Sequence, residues 1–306
     1  METEALRWFQ QVADGVTVTE VGDLEMISQP AVSRALARLE KQVGAPLLHR
    51  TGRTLRMTRA GSAFKRHVDA LLHELDDGLA AVAQLADPGS GTVALAFQHS
   101  LGTWLVPDLI RSMHVDRPGV QFALTQVTDD PADEPAAAGA ADLVLGSRAP
   151  GPAYGSHPLT SEPLRLVTAT EHRLHRRRRV SLRDVAGEPF VGLRTNSALR
   201  AQTDELCARA GFSPDVVFEG DDLSTVRGLV AAGLGVAVVP APRAGTPEAA
   251  GSALHHCAID DPAAVREIRL SWPADRRLPP VTEAFRDHVV ARAVAGQIPR
   301  VGDGLG

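Results

Sequence analysis

The sequence predicts a multidomain α/β protein, and three observations predict it. The first sixty residues read as short helices and a hairpin, apolar residues then recur in steps of four and three up to about residue 86, and strand-like and helix-like segments alternate from Thr92 onward. With 306 residues and 44% hydrophobic content the chain exceeds what one small core needs, so two or three globular units are expected.

Residues 3–14 place Ala5, Leu6, Phe9, Val12 and Ala13 on one helical face, and Gly15 stops that helix. A second helix is expected from Thr19 to Glu25. The third opens at Ser28 as N-cap, carries Pro30 in its first turn, and buries Val32, Leu36 and Leu39 on one stripe. Gln29, Ser33 and Arg34 project away from that stripe with groups suited to base edges and phosphates. Three helices of this size make a helix-turn-helix unit. Beyond Gly44, the stretches Pro46 to Arg50 and Thr54 to Met57 flank Thr51-Gly52-Arg53, a hairpin whose tip offers Arg53 to a minor groove or a phosphate.

Charge is segregated in the same place. The whole chain carries −5, but residues 27–66 carry +8, with Glu40 as their sole acid, which leaves −13 for the remainder. A local positive surface binds a phosphate backbone while an acidic bulk resists non-specific adhesion. Aromatic content of 4% argues against recognition of single strands by stacking.

Thr58 is placed to cap a long helix to about Ala86, in which Phe64, Val68, Leu72, Leu75, Leu79, Val82 and Ala86 form a coiled-coil seam. Packing on a second subunit would bury the seam and fix the separation of two recognition helices; burial in a core of the same subunit is the alternative. Gly78 weakens this helix by about 1 kcal/mol.

After the break Asp87-Pro-Gly-Ser-Gly91, the alternation runs as strand Val93 to Phe97, helix Leu101 to Met113 and strand Val120 to Val127. It continues through Ala141 to Gly146, Leu164 to Ala169, Ser197 to Ala210, Val216 to Glu219, Asp222 to Ala232 and Val236 to Pro240. Such alternation implies parallel sheets, which bind ligands beyond their C-terminal strand ends. Gln98-His99-Ser100, Thr195-Asn196-Ser197 and Asp221-Asp222 occupy such ends, where hydroxyls and free N–H groups favour a small anion or polar acid. Each of these residues is equally an ordinary helix cap, and the charge of Asp222 fits a cap better than an anion contact. Val265 to Trp272 is expected as a returning strand, Val281 to Ala295 as a closing helix, and Pro299 to Gly306 as a disordered tail.

The chain resembles the LysR-type transcriptional regulators. The resemblance is carried by Leu6 to Val12, Ser28-Gln-Pro-Ala-Val-Ser-Arg34, Leu39-Glu40, Gly44-Ala-Pro-Leu47, Arg50 with Arg53, Thr58-Arg-Ala-Gly61, and the downstream stretch from Asp222 to Pro240. It implies a winged helix-turn-helix domain over residues 1–60, a linker helix over 58–87 and a two-lobed, periplasmic-binding-protein-like effector domain over 91–300. Lobe I would take 91–162 and 270–300, and lobe II 163–269. Carried over position by position, it implies that Gln29, Ser33 and Arg34 approach base edges beside Pro30, that Thr19, Ser28 and Arg50 hold phosphates, and that Arg53 works from the wing. It similarly implicates Ser100, Leu101, Thr103, Gly146, Asn196 and Asp222 in effector binding. The implied partners are double-stranded DNA, a small-molecule effector, RNA polymerase and further copies of the chain in a homodimer or homotetramer, with no cofactor. The chain departs from the family pattern at Leu24, four residues before Ser28, so one extra residue is expected in the turn between the second and third helices.

Other signals are weaker. Arg176 to Arg179 reads as a solvated loop, and His255-His256-Cys257 alternates faces along a strand, which disfavours a metal site. Cys207 and Cys257 fit a reducing compartment; a redox-sensing pair is the nearest rival mechanism, and small buried hydrophobes the simpler account. A ligand-modifying enzyme is a rival of another class, but no phosphate-cradling loop, helical zinc motif or nucleophile elbow is found. A solute-binding protein would need an export signal, and neither such a signal nor a membrane span is read, so a cytoplasmic protein is expected.

Overall fold

The computed structural model describes residues 2–51, 54–86, 90–127, 141–243 and 253–299, and the chain divides into two units, Met1–Ala86 and Asp87–Gly306. Arg53, the break at 87–89 and the tail from 300 lie outside the described residues.

The first unit runs α1 (Thr3–Ala13), α2 (Val18–Leu24), α3 (Gln29–Val43), β1 (Leu48–Thr51), β2 (Thr54–Met57) and α4 (Arg59–Ala86). Leu6, Phe9, Val32, Leu36, Leu39 and Leu47 share one core with Val68 and Leu72 of α4. Helix α2 begins one residue earlier than expected because Thr17 and Glu20 form a capping box: Glu20 N–H donates to Thr17 Oγ1 at 3.2 Å, and Thr17 N–H to Glu20 Oε2 at 2.8 Å. Ser28 holds the N-cap position of α3, but its side chain makes no capping bond. Pro30 has no N–H to offer, and the N–H of Ala31 goes to the Ser28 carbonyl at 2.8 Å. The turn between α2 and α3 is closed by Met26 in a left-handed conformation, φ 55°, while Ile27 packs on the core.

Thr58 caps α4 as expected, its Oγ1 accepting from Gly61 N–H at 2.9 Å while donating to the Pro46 carbonyl at 2.7 Å. Twenty-eight residues make a rod of about 42 Å. The seam expected along it divides. Val68 and Leu72 are buried in the unit's own core, whereas Leu71, Leu75, Leu79 and Val82 are 52%, 39%, 59% and 66% exposed.

The second unit begins with β3 (Gly91–Gln98), a 3-10 turn at His99–Leu101, α5 (Leu105–Asp116), β4 (Val120–Val127), β5 (Leu143–Gly146) and β6 (Tyr154–Ala169). It goes on with β7 (Arg179–Val180), β8 (Pro189–Leu193), α6 (Ala198–Arg209), β9 (Asp215–Gly220), α7 (Leu223–Ala231) and β10 (Ala237–Pro240). β11 (Leu254–Ile259), β12 (Val265–Pro273) and α8 (Pro280–Val294) complete it.

The main sheet has the order β4-β3-β5-β12-β6-β11-β7, with β10 also on β6, and is mixed rather than parallel. β3 pairs parallel with β4 and β5, but β12 runs antiparallel to β5 and β6, and β10 and β11 antiparallel to β6. The expected strand Leu164–Ala169 is the last part of the sixteen-residue β6, whose first part is polar and holds Pro158 and Pro163. The expected helix Leu101–Met113 begins at Leu105, after the 3-10 turn and Gly102, where a side chain would strike the Phe97 ring at 2.8 Å.

Two apolar clusters fill this unit. One joins Val93, Leu95, Leu109, Leu145, Leu159, Ile268 and Phe285; the other joins Leu164, Leu166, Phe190, Leu206, Val230, Val238 and Ala264. β6 and β12 run from one cluster to the other. Glu162 and Arg266 occupy the step between them.

Candidate functional site

In the first unit, the apolar stripe of α3 turns Gln29, Pro30 and Arg34 to solvent and leaves Ser33 half-buried. Gln29 Nε2 donates to Ser33 Oγ at 3.0 Å, one helical turn on, which holds both side chains ready for exchange with a base edge. A groove of about 290 Å³ beside them gathers Thr17, Thr19, Gln29, Ser33 and Arg50. Thr19, Gln29, Ser33 and Arg50 are thereby brought together, and Ser28, Pro30 and Arg34 are exposed on the same helical segment. Glu40, the acid in the basic window, is turned inward to structural use: Oε1 accepts from the N–H groups of Leu47 and Leu48 at 2.7 and 2.9 Å, docking the hairpin on α3.

In the second unit a cleft lies where the C-terminal end of β3 faces the start of α7. Gln98, His99, Ser100, Ser197, Asp222 and Arg266 line one part; Thr103, Trp104, Arg227, Arg243 and Glu162 line an adjoining part of about 100 Å³ that shares His99, Ser100 and Arg266. Arg266 donates through Nε to Glu162 Oε2 at 3.1 Å and through Nη1 to Ser100 Oγ at 3.1 Å, and Nη2 also bonds Glu162. Arg243 donates to Glu162 Oε1 at 3.2 Å and lies over the Trp104 ring, 3.0 Å from its centroid. Burial pushes the Arg243 pKa down. Asp222 caps α7, accepting from Thr225 N–H at 2.8 Å and Thr225 Oγ1–H at 3.0 Å, and the backbone bond holds its carboxyl below the usual carboxylate range.

Of the residues expected at this site, Gln98, Ser100, Thr103 and Asp222 line the cleft. Leu101 is fully buried in an apolar cluster, Gly146 ends β5 opposite Arg269, and Thr195 and Asn196 are exposed in the loop before α6; none of these four lines it. Sequence reasoning missed Glu162, Arg227, Arg243 and Arg266. The one available signal was in β12, where Arg266 shares the inward register of Ile268 and Leu270.

Cys207 and Cys257 are fully buried, and burial pushes their thiols up to about 12 and about 11, so both are protonated at neutral pH. His255, His256 and Cys257 bring together no metal-binding group among the described residues. No helix among them is long and apolar enough to cross a membrane.

Residues 86–294 match the family model described as the LysR substrate binding domain, and residues 3–62 that of the bacterial regulatory helix-turn-helix protein, lysR family. The chain belongs to the LysR family of transcriptional regulators. Among its LysR relatives, the HTH-type transcriptional regulator YybE of Bacillus subtilis (strain 168) is 36% identical over 292 residues, 95% of this chain and 99% of that protein. The solved LysR regulator CbnR is 21% identical with a TM-score of 0.70, covering 96% of this chain and 99% of its own. The effector-binding domain of QuiR, solved with shikimate, is 22% identical with a TM-score of 0.62 over 67% of this chain and 98% of its own.

Proposed function

We propose that this LysR regulator grips double-stranded DNA as a dimer through α3 and the hairpin, and adjusts that grip when a small molecule enters the cleft of the second unit. The observation that carries the first part is the groove joining Thr19, Gln29, Ser33 and Arg50 on a segment of net charge +8. CbnR, of the same fold, has been solved in complex with its target DNA. In this reading Gln29, Ser33 and Arg34 meet base edges beside Pro30, Thr19, Ser28 and Arg50 meet phosphates, and Arg53 serves from the wing.

The division into a winged helix-turn-helix over 1–60, a linker helix over 58–87 and an effector domain over 91–300 belongs to the same reading, with lobes 91–162 plus 270–300 and 163–269. Effector binding changes the angle between lobes and so the presentation of paired recognition helices. The exposed leucine stripe of α4 supplies the dimer contact, and contacts of the effector domains extend it to a tetramer. The protein acts in the cytoplasm, where the chromosome and RNA polymerase are, and it binds its effector without turning it over.

Gel-shift titration against promoter fragments from the gene's own neighbourhood tests the reading. Wild-type protein should bind one fragment with a marked salt dependence. Arg34→Ala should cost about 1–3 kcal/mol and relax the preference at one base pair. Failure to bind every fragment at low salt would overturn the reading.

A further inference from the structure

The lining of the cleft differs in chemistry from one end to the other. Beside Trp104, the described lining residues set three guanidinium groups, Arg227, Arg243 and Arg266, against the single carboxylate of Glu162. Glu162 already serves two of them. That end carries an excess of positive charge in a partly dehydrated setting, and it favours an anion.

At the other end Gln98 is 9% exposed, lines the cleft, and holds a buried Oε1 without a hydrogen-bond partner. A buried acceptor left unpaired is costly, and a donor on an occupant removes that cost. Asp222 stands in the same lining as an acceptor only, its pair of bonds to Thr225 leaving lone pairs to spare. This end therefore selects O–H or N–H groups whichever way the Gln98 amide is turned.

We propose that the effector is a small carboxylic acid that also bears a hydroxyl or amino group, its carboxylate held beside Arg227 and Arg243 and its donor group held by Gln98 and Asp222. This rests on the effector reading given above. A plain monocarboxylate leaves Gln98 unpaired, a plain dicarboxylate sets a second negative charge against Asp222, and a cation meets the arginines. Gln98 is then the residue that sets specificity, and the arginines supply affinity common to all acids.

Calorimetric titration of the full-length protein with matched acids tests this: malate against succinate, glutamate against glutarate, 4-hydroxybenzoate against benzoate, and shikimate against cyclohexene-1-carboxylate. In at least one pair the member with the donor should bind about tenfold more tightly, a difference of about 1.4 kcal/mol. Gln98→Met should abolish that preference while leaving the affinity of the partner acid and the melting temperature unchanged. Arg243→Met should weaken both members alike. Equal binding within every pair, equal binding of the neutral amides, or a Gln98→Met variant that weakens both members equally overturns the proposal. So does silence from all eight acids. A metabolite extract that still raises the melting temperature of wild-type protein would then leave the effector reading standing without this ligand class.

Discussion

Glu162 and Arg266 stand opposite each other across the antiparallel pairing of β6 and β12, joined by two hydrogen bonds, with side chains only 3% and 4% exposed. Arg243 takes the second carboxylate oxygen and Ser100 a third N–H of Arg266, so one buried pair ties both strands to the rim of the cleft.

Removing one partner leaves the other charged and buried. Glu162→Ala or Arg266→Ala should each cost about 3–5 kcal/mol in urea unfolding of the second unit. The double variant should cost clearly less than the two losses added together, because no lone charge of the pair remains. Additive losses would mean that the pair contributes no coupling.

Gly61 tests the junction of hairpin and rod. A Cβ there would lie 2.0 Å from the Leu47 carbonyl oxygen, a backbone atom that cannot swing away. Gly61→Ala should destabilise the first unit by about 3 kcal/mol and weaken DNA binding in proportion to the unfolded fraction. Gly78→Ala, where nothing lies within 4 Å of the added carbon, should stabilise the rod by about 1 kcal/mol in thermal melts.

The exposed stripe on α4 should be an association surface. Leu79→Asp sets a charge where a second copy would bury a leucine, at a cost of about 3 kcal/mol, or about a hundredfold in the dimer dissociation constant. Light scattering should then find monomers at concentrations where the parent protein is paired, and circular dichroism should find the fold unchanged.

Acid should loosen the second unit through His256. It lies on β11 with both ring nitrogens buried and unpartnered, and burial depresses its pKa from 6.5 to about 4. The unfolded chain takes up a proton near pH 6.5 while the folded chain resists until about pH 4. Stability is therefore full above pH 6.5 and falls as the pH drops through this window. His256→Phe should flatten the decline in melting temperature between pH 6.5 and pH 4.5; an unchanged slope would assign the decline to other groups.

The elements carried by strong periodicity were legible in the sequence: α1, α3, the hairpin, the rod, β3, β4, α6 and α7 fall within a few residues of expectation. What escaped it was set by partners distant along the chain. The polar first part of β6 becomes a strand because β12 pairs with it, and the residues at 154–163 carry no apolar run of their own to announce this. Leu101, expected at the site through resemblance, obeys its apolar side chain and enters the core. Conversely, the arginines of the cleft were illegible because Arg227, Arg243 and Arg266 come from α7, the loop after β10, and β12, and only folding assembles them. The capping role of Asp222 was readable because its partner Thr225 lies three residues away.

The place of β12 between β5 and β6 has a consequence for how the protein is made. A nascent chain can complete its first eighty-six residues early, but the sheet begun by β3 and β5 lacks its inner neighbour until Val265–Pro273 leaves the ribosome. Synthesis that stops short of that strand yields a product with an open sheet edge, a template for clumping and a target for proteolysis. The cell thus receives the ligand-sensing half only when translation has run nearly to its end.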